Sequence, residues 1–158
     1  MEIFFNSGNE GVSSVISSQL YVDKTGLIDY VNQVLGTEQR MLCVSRPRRF
    51  GKSMTAQMIA AYYDRGCDSR GLFQNLKITK SETFEQHLNA YDVFFLNIQQ
   101  FLSGAKSADN LVEYLEKEVL KEVKEVYPEY VSNNETSLPL ALATIFSKQT
   151  KERICFCN

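Results

Sequence analysis

The sequence has few of the residues from which metal centres and acid–base triads are built. Its 158 residues include one histidine, His87, so a multi-histidine metal site or an internal Ser-His-Asp triad is hard to assemble. We interpret His87 as an ordinary surface or half-buried residue. The four cysteines show no zinc-like C-x-x-C pairing and are most simply reduced thiols; they stand at positions 43, 67, 155 and 157.

An excess of charge of one sign is missing as well. Seventeen Lys plus Arg face nineteen Asp plus Glu, so the net charge is −2 and any contact with nucleic acid or an anionic membrane must be local. The longest nearly apolar stretch, 138–146, is far shorter than the ~20 residues of a membrane span. Residues 1–11 lack the basic and apolar regions of a secretory signal. We therefore expect a soluble, cytoplasmic protein without a membrane partner.

No internal repeat, low-complexity tract or Pro/Gly/Ser-rich linker divides the chain. With 44% hydrophobic and 11% aromatic residues, the composition is typical of one globular domain that buries a core. We predict a single domain over 1–158. Its first twenty residues are polar and Ser-rich, and we expect them to form a loose lead-in.

Short apolar or β-branched runs predict three buried strands, at 40–44, at 92–98 and from 153 onward. Helical spacing and capping residues predict helices at 27–35, 52–64, 107–127 and 137–148, the last two capped by Ser107 and Ser137. Residues 71–78 are expected to form a turn and a short strand or extended segment, and the Glu/Lys alternation over 113–125 indicates a solvated helix face. Strands separated by long helices predict an α/β three-layer architecture with a mostly parallel sheet.

The segment between the first predicted strand and the next helix has features of a phosphate-binding loop. Backbone N–H groups at a helix N-terminus lack intrahelical partners, and the helix dipole favours an anion there. Gly51 allows close approach to phosphates, Lys52 supplies charge to the β and γ phosphates, and Ser53 offers a hydroxyl to Mg²⁺. The full pattern would be G-x-x-x-x-G-K-[ST], and Arg46 replaces its first glycine. The alternative is a plain strand-to-helix turn with a basic surface.

Two stretches taken together, YVDKTGLI at 21–28 and SRPRRFGKS at 45–53, strongly resemble the AAA-ATPase-like family of mainly bacterial proteins. In that family the loop itself reads R-P-R-R-F-G-K-S, so Arg46 is the family's own variant. The resemblance covers about 20–100 strongly and the remainder weakly, with further similar stretches at 72–78 and 92–98. It implies a P-loop NTPase-like domain that holds ATP and Mg²⁺.

The resemblance also implies which residues form the site. The backbone N–H groups of 49–54 would cradle the phosphates, and Ser53 would contact Mg²⁺. The residues expected to bind the nucleotide are Arg46, Arg48, Arg49, Phe50, Gly51, Lys52, Ser53 and Met54. Asp23 and Lys24 would border the nucleotide by the same resemblance, and a structural ion pair is the alternative. No catalytic residue is assigned.

Relatives in the family typically continue into a Walker B strand that ends in acidic residues, and often into a restriction-endonuclease-like domain. Here the third predicted strand is followed by Asn158, which falls at or just before the Walker B aspartate, and an amide cannot replace a carboxylate near Mg²⁺. We expect a truncated domain containing the first strands and helices only, which binds ATP but does not hydrolyse it alone. A missing C-terminal half or a second copy would be its partner.

The basic run itself suggests an interpretation from another functional class. Arg46, Arg48, Arg49 and Lys52 lie within seven residues and can contact DNA or RNA phosphates. The chain would then be a non-enzymatic remnant that acts as an interaction or nucleic-acid-contact module.

Overall fold

Two parallel strands lie side by side in the fold. β1 spans Asp92–Leu96 and β2 spans Arg153–Cys157, paired in register from one end to the other. The strands predicted at 92–98 and from 153 are therefore confirmed. β1 ends earlier than predicted because Asn97 caps the next helix, its side chain accepting hydrogen bonds from two backbone N–H groups.

The computed structural model describes residues 4–5, 8–17, 21–105, 107–148 and 153–157, with the backbone alone for β2 and for residues 15 and 108. The comparison of Asn158 with a Walker B aspartate lies outside the described residues. Within them the α-helices are α1 Glu10–Ile16, α2 Gly26–Val34, α3 Lys52–Tyr63, α4 Arg70–Phe73, α5 Phe84–His87, α6 Ile98–Gly104, α7 Leu111–Val126 and α8 Leu138–Lys148. Short 3₁₀ helices span Glu38–Arg40, Lys77–Lys80 and Ala108–Asn110.

The four helices predicted from periodicity and capping are present as α2, α3, α7 and α8. Ser137 caps α8 as predicted, its Oγ accepting from the N–H of Leu140 at 3.4 Å. The predicted cap at Ser107 is wrong: a 3₁₀ turn follows that serine, and Asn110 occupies the N-cap of α7. Gly36, with φ +75°, lies just beyond α2 and ends it, since glycine adopts this left-handed conformation without strain.

Alternate side chains of β1 enter two separate hydrophobic clusters. Val93 packs with buried residues of α1 to α5, whereas Phe94 and Leu96 pack with buried residues of α6 to α8. Successive side chains of a strand point to opposite faces, so helices cover both faces of β1. This arrangement explains the continuous apolar run of the strand, which has no polar face.

The predicted buried strand at 40–44 is wrong. Arg40 ends a 3₁₀ helix, and the residues after it lie outside any strand, with Met41 87% and Val44 50% exposed. Both edges of β1 are already occupied, one by β2 and the other by residues 4–5, which form an antiparallel bridge with Phe94. Among the described residues, 41–44 form no ladder with β1 or β2, and a strand is stable only when its N–H and C=O groups are paired. The sequence predicts a three-layer architecture with a mostly parallel sheet. The described residues contain one parallel pair of strands, β1 and β2.

The segment at 71–78 belongs to α4, a turn and a 3₁₀ helix, and the short strand or extended segment predicted there after a turn is absent. The N–H of Lys77 donates to Asp23 Oδ2 at 2.7 Å, and the N–H of Ile78 donates to Thr25 Oγ1 at 3.1 Å. Side chains from before α2 thus take the backbone donors that a strand would offer to a neighbour.

Three parts of the chain predicted to be loop or surface contain buried residues: the first twenty residues, position 87 and one face of α7. The predicted loose lead-in contains α1, and both Phe5 and Val12 are buried. His87 is also buried, and its Nδ1 is hydrogen-bonded to the hydroxyl of Tyr91. The expected solvated face of α7 contains Glu122, only 9% exposed, whose carboxylate binds the backbone of residues 4–5. The contact of Glu122 joins residues 117 and 118 positions apart, and the local pattern of α7 gives no sign of it.

Candidate functional site

Helix α3 is anchored in the core at its C-terminal end. Its last six residues, 58–63, are all buried, whereas its first residues are exposed or half-buried. The hydroxyl of Tyr63 donates to Asn32 Oδ1 of α2 at 2.5 Å, and that of Tyr62 donates to the carbonyl of Phe84 at 2.8 Å. Burial raises the pKa of Tyr62 to about 12, so the phenol remains a neutral donor at physiological pH. The N-terminal end of α3 is therefore presented to solvent on a fixed support.

The chain enters α3 through a strained turn in residues 46–53, here called the RPRRFGKS loop. Arg49 has φ +68° and Gly51, the N-cap of α3, has φ +72°. A left-handed conformation costs a non-glycine residue roughly 1 kcal/mol or more, and such strain is concentrated at functional sites. A Cβ on Gly51 would also approach Lys24 Nζ to 3.0 Å. Glycine is thus favoured at 51 by its backbone conformation, and an added Cβ would in addition require the flexible end of Lys24 to move.

The backbone N–H groups of residues 49–54 donate no hydrogen bond to an acceptor in the described part of the chain. The first intrahelical bond of α3 runs from the N–H of Thr55 to the carbonyl of Gly51 at 2.9 Å. Because Gly51 has no side chain, it caps none of these donors. Together with the dipole of a twelve-residue helix, these unpaired N–H groups form a surface that favours an anion.

Lys52, the first residue of α3, binds the start of the RPRRFGKS loop. Its Nζ donates to the carbonyl of Arg46 at 2.7 Å and to that of Pro47 at 3.3 Å, so the side chain folds back across the turn. The side chains of Ser53 and Met54 are exposed next to it. The sequence-predicted site residues, 46 and 48–54, are neighbours in the chain and span the turn before α3 and the first residues of that helix.

The three arginines of the RPRRFGKS loop add charge that the described residues do not neutralise. Arg46, Arg48 and Arg49 are exposed, and none of their guanidinium groups forms an ion pair or hydrogen bond with a residue that the structure describes. Other cations pair with carboxylates elsewhere at two places in the described residues, Arg65 with Asp92 and Arg70 with Glu85. The loop is consequently a locally basic site on a chain of nearly balanced charge.

Lys24 and Asp23 contact different parts of the molecule. Lys24 Nζ donates to the carbonyl of Phe50 at 2.7 Å, within the RPRRFGKS loop. Asp23 accepts from the N–H and hydroxyl of Thr25, at 2.8 and 2.6 Å, and from the N–H of Lys77. Burial alone would raise the pKa of Asp23, but these hydrogen bonds outweigh it and the pKa is lowered. Lys24 thus borders the candidate site, while Asp23 has a structural role in joining 23–25 to 77–78.

A pocket of about 340 Å³ opens beside the loop. Its walls come from α1, the segment before α2 and the first turns of α3, and they are mainly apolar. Lys24, Arg49 and Gly51 line it on the loop side, and the remaining lining residues are Val12, Ile16, Tyr21, Val22, Phe50, Met54, Thr55 and Met58. The sequence reasoning missed Val12 and Ile16 as site residues, because the first twenty residues were expected to be loose, and it also missed Tyr21 at the start of the YVDKTGLI stretch. The available signal was the family resemblance, which placed Asp23 and Lys24 at the border of the nucleotide and so indicated that neighbouring residues could line the site.

The described residues contain no group of three or more His, Cys, Asp or Glu side chains placed to hold a metal ion. Ser53, next to Lys52, has the side-chain oxygen nearest in sequence to that lysine. One hydroxyl completes no metal site without phosphate oxygens. None of the described helices combines the length and apolar character that crossing a membrane requires.

A family model described as predicted AAA-ATPase matches residues 14–155 of the chain. The chain therefore belongs to this AAA-ATPase-like family. The match confirms the family that the YVDKT and RPRRFGKS stretches indicated, and it extends from within α1 to within β2. Among curated proteins and solved structures there is no significant match.

Proposed function

We propose that this chain is an ATP- and Mg²⁺-binding P-loop domain with the three-layer arrangement of that class. The observation that carries the proposal is the row of unpaired N–H groups at 49–54, with Lys52 bound back to the carbonyls at 46 and 47, in a member of a family of predicted AAA-ATPases. A row of such donors binds the oxygens of a polyphosphate without requiring a complementary side chain for each one.

The polar residues of the RPRRFGKS loop have separate roles in this proposal. Lys52 exchanges the carbonyls of Arg46 and Pro47 for phosphate oxygens, because a charge-assisted bond to phosphate is stronger than one to a neutral carbonyl. Ser53 directs its hydroxyl to the Mg²⁺ that accompanies the nucleotide. The three exposed arginines offset the negative charge of the ligand.

The 340 Å³ pocket is the compartment proposed for the base and ribose. Its volume lies within the range of ~300–1,000 Å³ typical of small-molecule sites. Apolar side chains such as Val12, Val22 and Met58 suit the faces of a flat base, whereas the cations lie at the loop end. A nucleoside in the pocket would have its phosphates at Gly51 and at the N-terminus of α3.

We further propose that the 158-residue chain binds ATP without hydrolysing it. No carboxylate lines the pocket or contacts the loop among the described residues. Asp23 is held by Thr25 and Lys77, and Asp92 by Arg65 at the start of β1. Phosphoryl transfer needs a residue that orients water and a carboxylate near Mg²⁺. A C-terminal half or a second copy would supply them, and pairing with it would turn 41–44 into a strand.

Equilibrium binding of a fluorescent ATP analogue with Mg²⁺ tests the proposal. We expect saturable binding that Lys52→Ala weakens at least tenfold, since one charged hydrogen-bonding group is lost. Lys117→Ala is the matched control, because this exposed lysine lies on α7, away from the loop. Equal affinity of the wild type and Lys52→Ala would contradict the proposal.

The alternative function is a nucleic-acid-contact module, and the three uncompensated arginines favour it. It predicts DNA or RNA binding that weakens steeply with salt and disappears in the Arg48→Ala/Arg49→Ala variant, while ATP has no effect. Competition between ATP and DNA for the loop would instead support the nucleotide site. Absence of binding at low salt would remove the alternative.

A further inference from the structure

The RPRRFGKS loop is held from two sides by two lysines. Lys52 Nζ binds the carbonyls at 46 and 47, and Lys24 Nζ binds the carbonyl of Phe50 at 2.7 Å. Lys24 belongs to a separate segment of chain, 26 residues earlier than Phe50. Its ammonium group also lies 3.0 Å from the position of a Cβ on Gly51, which places it directly at the N-cap of α3.

The backbone beneath Lys24 is fixed, while its side chain is exposed. Thr25 is completely buried, and Asp23 bonds both to Thr25 and to the N–H of Lys77. The residues on either side of Lys24 therefore anchor it to α2 and to the 77–80 segment. An anchored backbone and a solvated side chain allow the ammonium group to change partner at little entropic cost.

We propose that Lys24 is a second phosphate-binding lysine. In the free protein its ammonium group holds the Phe50 carbonyl, and on nucleotide binding it transfers to the phosphate chain. The inference rests on the proposed function, since it requires the polyphosphate to bind at the N-terminus of α3. Exchange of a neutral carbonyl for an anionic oxygen strengthens the bond, so ligand binding favours the transfer.

The position of Lys24 gives it a role different from that of Lys52. Lys24 lines the 340 Å³ pocket, as Arg49 and Gly51 do, whereas Lys52 does not. Lys24 thus stands between the compartment proposed for the nucleoside and the loop. Free phosphate chains should depend on it as much as ATP does, and a nucleoside without phosphate should not.

The test compares three ligands, ATP-Mg²⁺, inorganic tripolyphosphate and adenosine, by isothermal titration calorimetry. Lys24→Met retains the length of the side chain and removes its charge, and Lys24→Arg restores the charge. We expect Lys24→Met to lower the affinity for ATP and for tripolyphosphate about tenfold or more and to leave the affinity for adenosine unchanged. Lys24→Arg should remain within about threefold of the wild type, and Lys117→Met should match the wild type.

A second measurement separates phosphate contact from a merely structural clamp on the loop. The affinity for tripolyphosphate should depend less steeply on salt in Lys24→Met than in the wild type, because one attraction that salt screens has been removed. A clamp would lower the affinity for all three ligands and leave the salt dependence unchanged. Lys24→Gln, compared by thermal unfolding, provides a second uncharged variant if Lys24→Met unfolds.

The outcomes also separate this inference from the proposed function. One outcome is that Lys52→Ala abolishes ATP binding while Lys24→Met and Lys24→Gln bind ATP with the affinity of the wild type. In that case Lys24 is not a phosphate ligand, and the proposed nucleotide site is retained. Equal losses for adenosine and tripolyphosphate would likewise overturn the role of Lys24. If the wild type binds neither ATP nor tripolyphosphate, both proposals are wrong.

Discussion

The carboxylate of Glu122 accepts a hydrogen bond of 2.9 Å from the backbone N–H of Phe5, 117 positions earlier in the chain. The N–H of Phe4 donates to the same carboxylate at 2.9 and 3.0 Å. This contact holds residues 4–5 against the edge of β1 opposite β2, where the N–H of Phe95 donates to the carbonyl of Phe4. A charged helix residue thereby fastens the start of the chain to the central strand.

We predict that Glu122→Ala lowers the free energy of unfolding by about 1–3 kcal/mol, because buried N–H donors lose their acceptor. Urea denaturation followed by circular dichroism measures the change. Glu116→Ala, at an exposed position on the same helix, should change stability by no more than about 0.5 kcal/mol. Equal effects of the two substitutions would show that the contact does not stabilise the fold.

The pKa of Asp23 predicts a pH dependence of stability. Its folded-state pKa is lowered, so its ionised form contributes stability above the unfolded pKa of about 3.9, and the contribution is lost as the pH falls through the folded value. We expect Asp23→Asn to be less stable than the wild type at pH 7 and the difference to shrink below about pH 4. Urea midpoints of both proteins at a series of pH values measure it. A constant difference across that range would contradict the assignment.

Gly51→Ala is expected to destabilise the loop and to abolish anion binding. The left-handed conformation costs alanine about 1–2 kcal/mol, and its Cβ would displace Lys24. Gly71→Ala is the matched control, because no atom lies within 4 Å of the Cβ that it would add and its φ is not in the left-handed region. Thermal unfolding and tripolyphosphate titration of both variants give the answer. If the two behave alike, position 51 does not require glycine.

The 158-residue chain is expected to bind ATP without turnover. When no group orients the attacking water, Lys52 and Ser53 stabilise the ground state and the transition state of ATP equally. Equal stabilisation does not accelerate hydrolysis. The measurement is phosphate release over hours at saturating ATP-Mg²⁺, with Lys52→Ala as the control for contaminating activity. Release clearly above that control would show that another carboxylate of the chain, or a second copy, completes the site.

The exposed apolar residues at 41–44 are expected to drive self-association. An unpaired extended segment with exposed Met41 and Val44 is a template for intermolecular strand pairing. Light scattering should show oligomers that the Met41→Lys/Val44→Lys variant reduces. Leu140→Lys replaces a similarly exposed apolar residue on α8, whose backbone is already paired, and should leave association unchanged. A monomeric wild type would contradict this prediction.

Most long helices, both strands and the loop could be predicted from the sequence. Amphipathic spacing in α7 and the glycine after α2 are local signals, and the apolar run of β1 results from burial on both faces. The predicted strand at 40–44 failed although its composition resembles that of β1. Composition indicates that a segment can pair, but pairing depends on whether an edge is free, and residues 4–5 occupy the second edge of β1.

The sequence by itself determined the positions of α2, α3, α7 and α8 and of both strands, because helix spacing, capping and apolar runs act over a few neighbouring residues. Only the tertiary structure decided that Glu122 is buried, that Lys24 reaches Phe50 and that α1 forms a wall of the pocket. Each of these contacts joins residues distant in sequence. Its energy depends on packing around both partners, which no local pattern encodes.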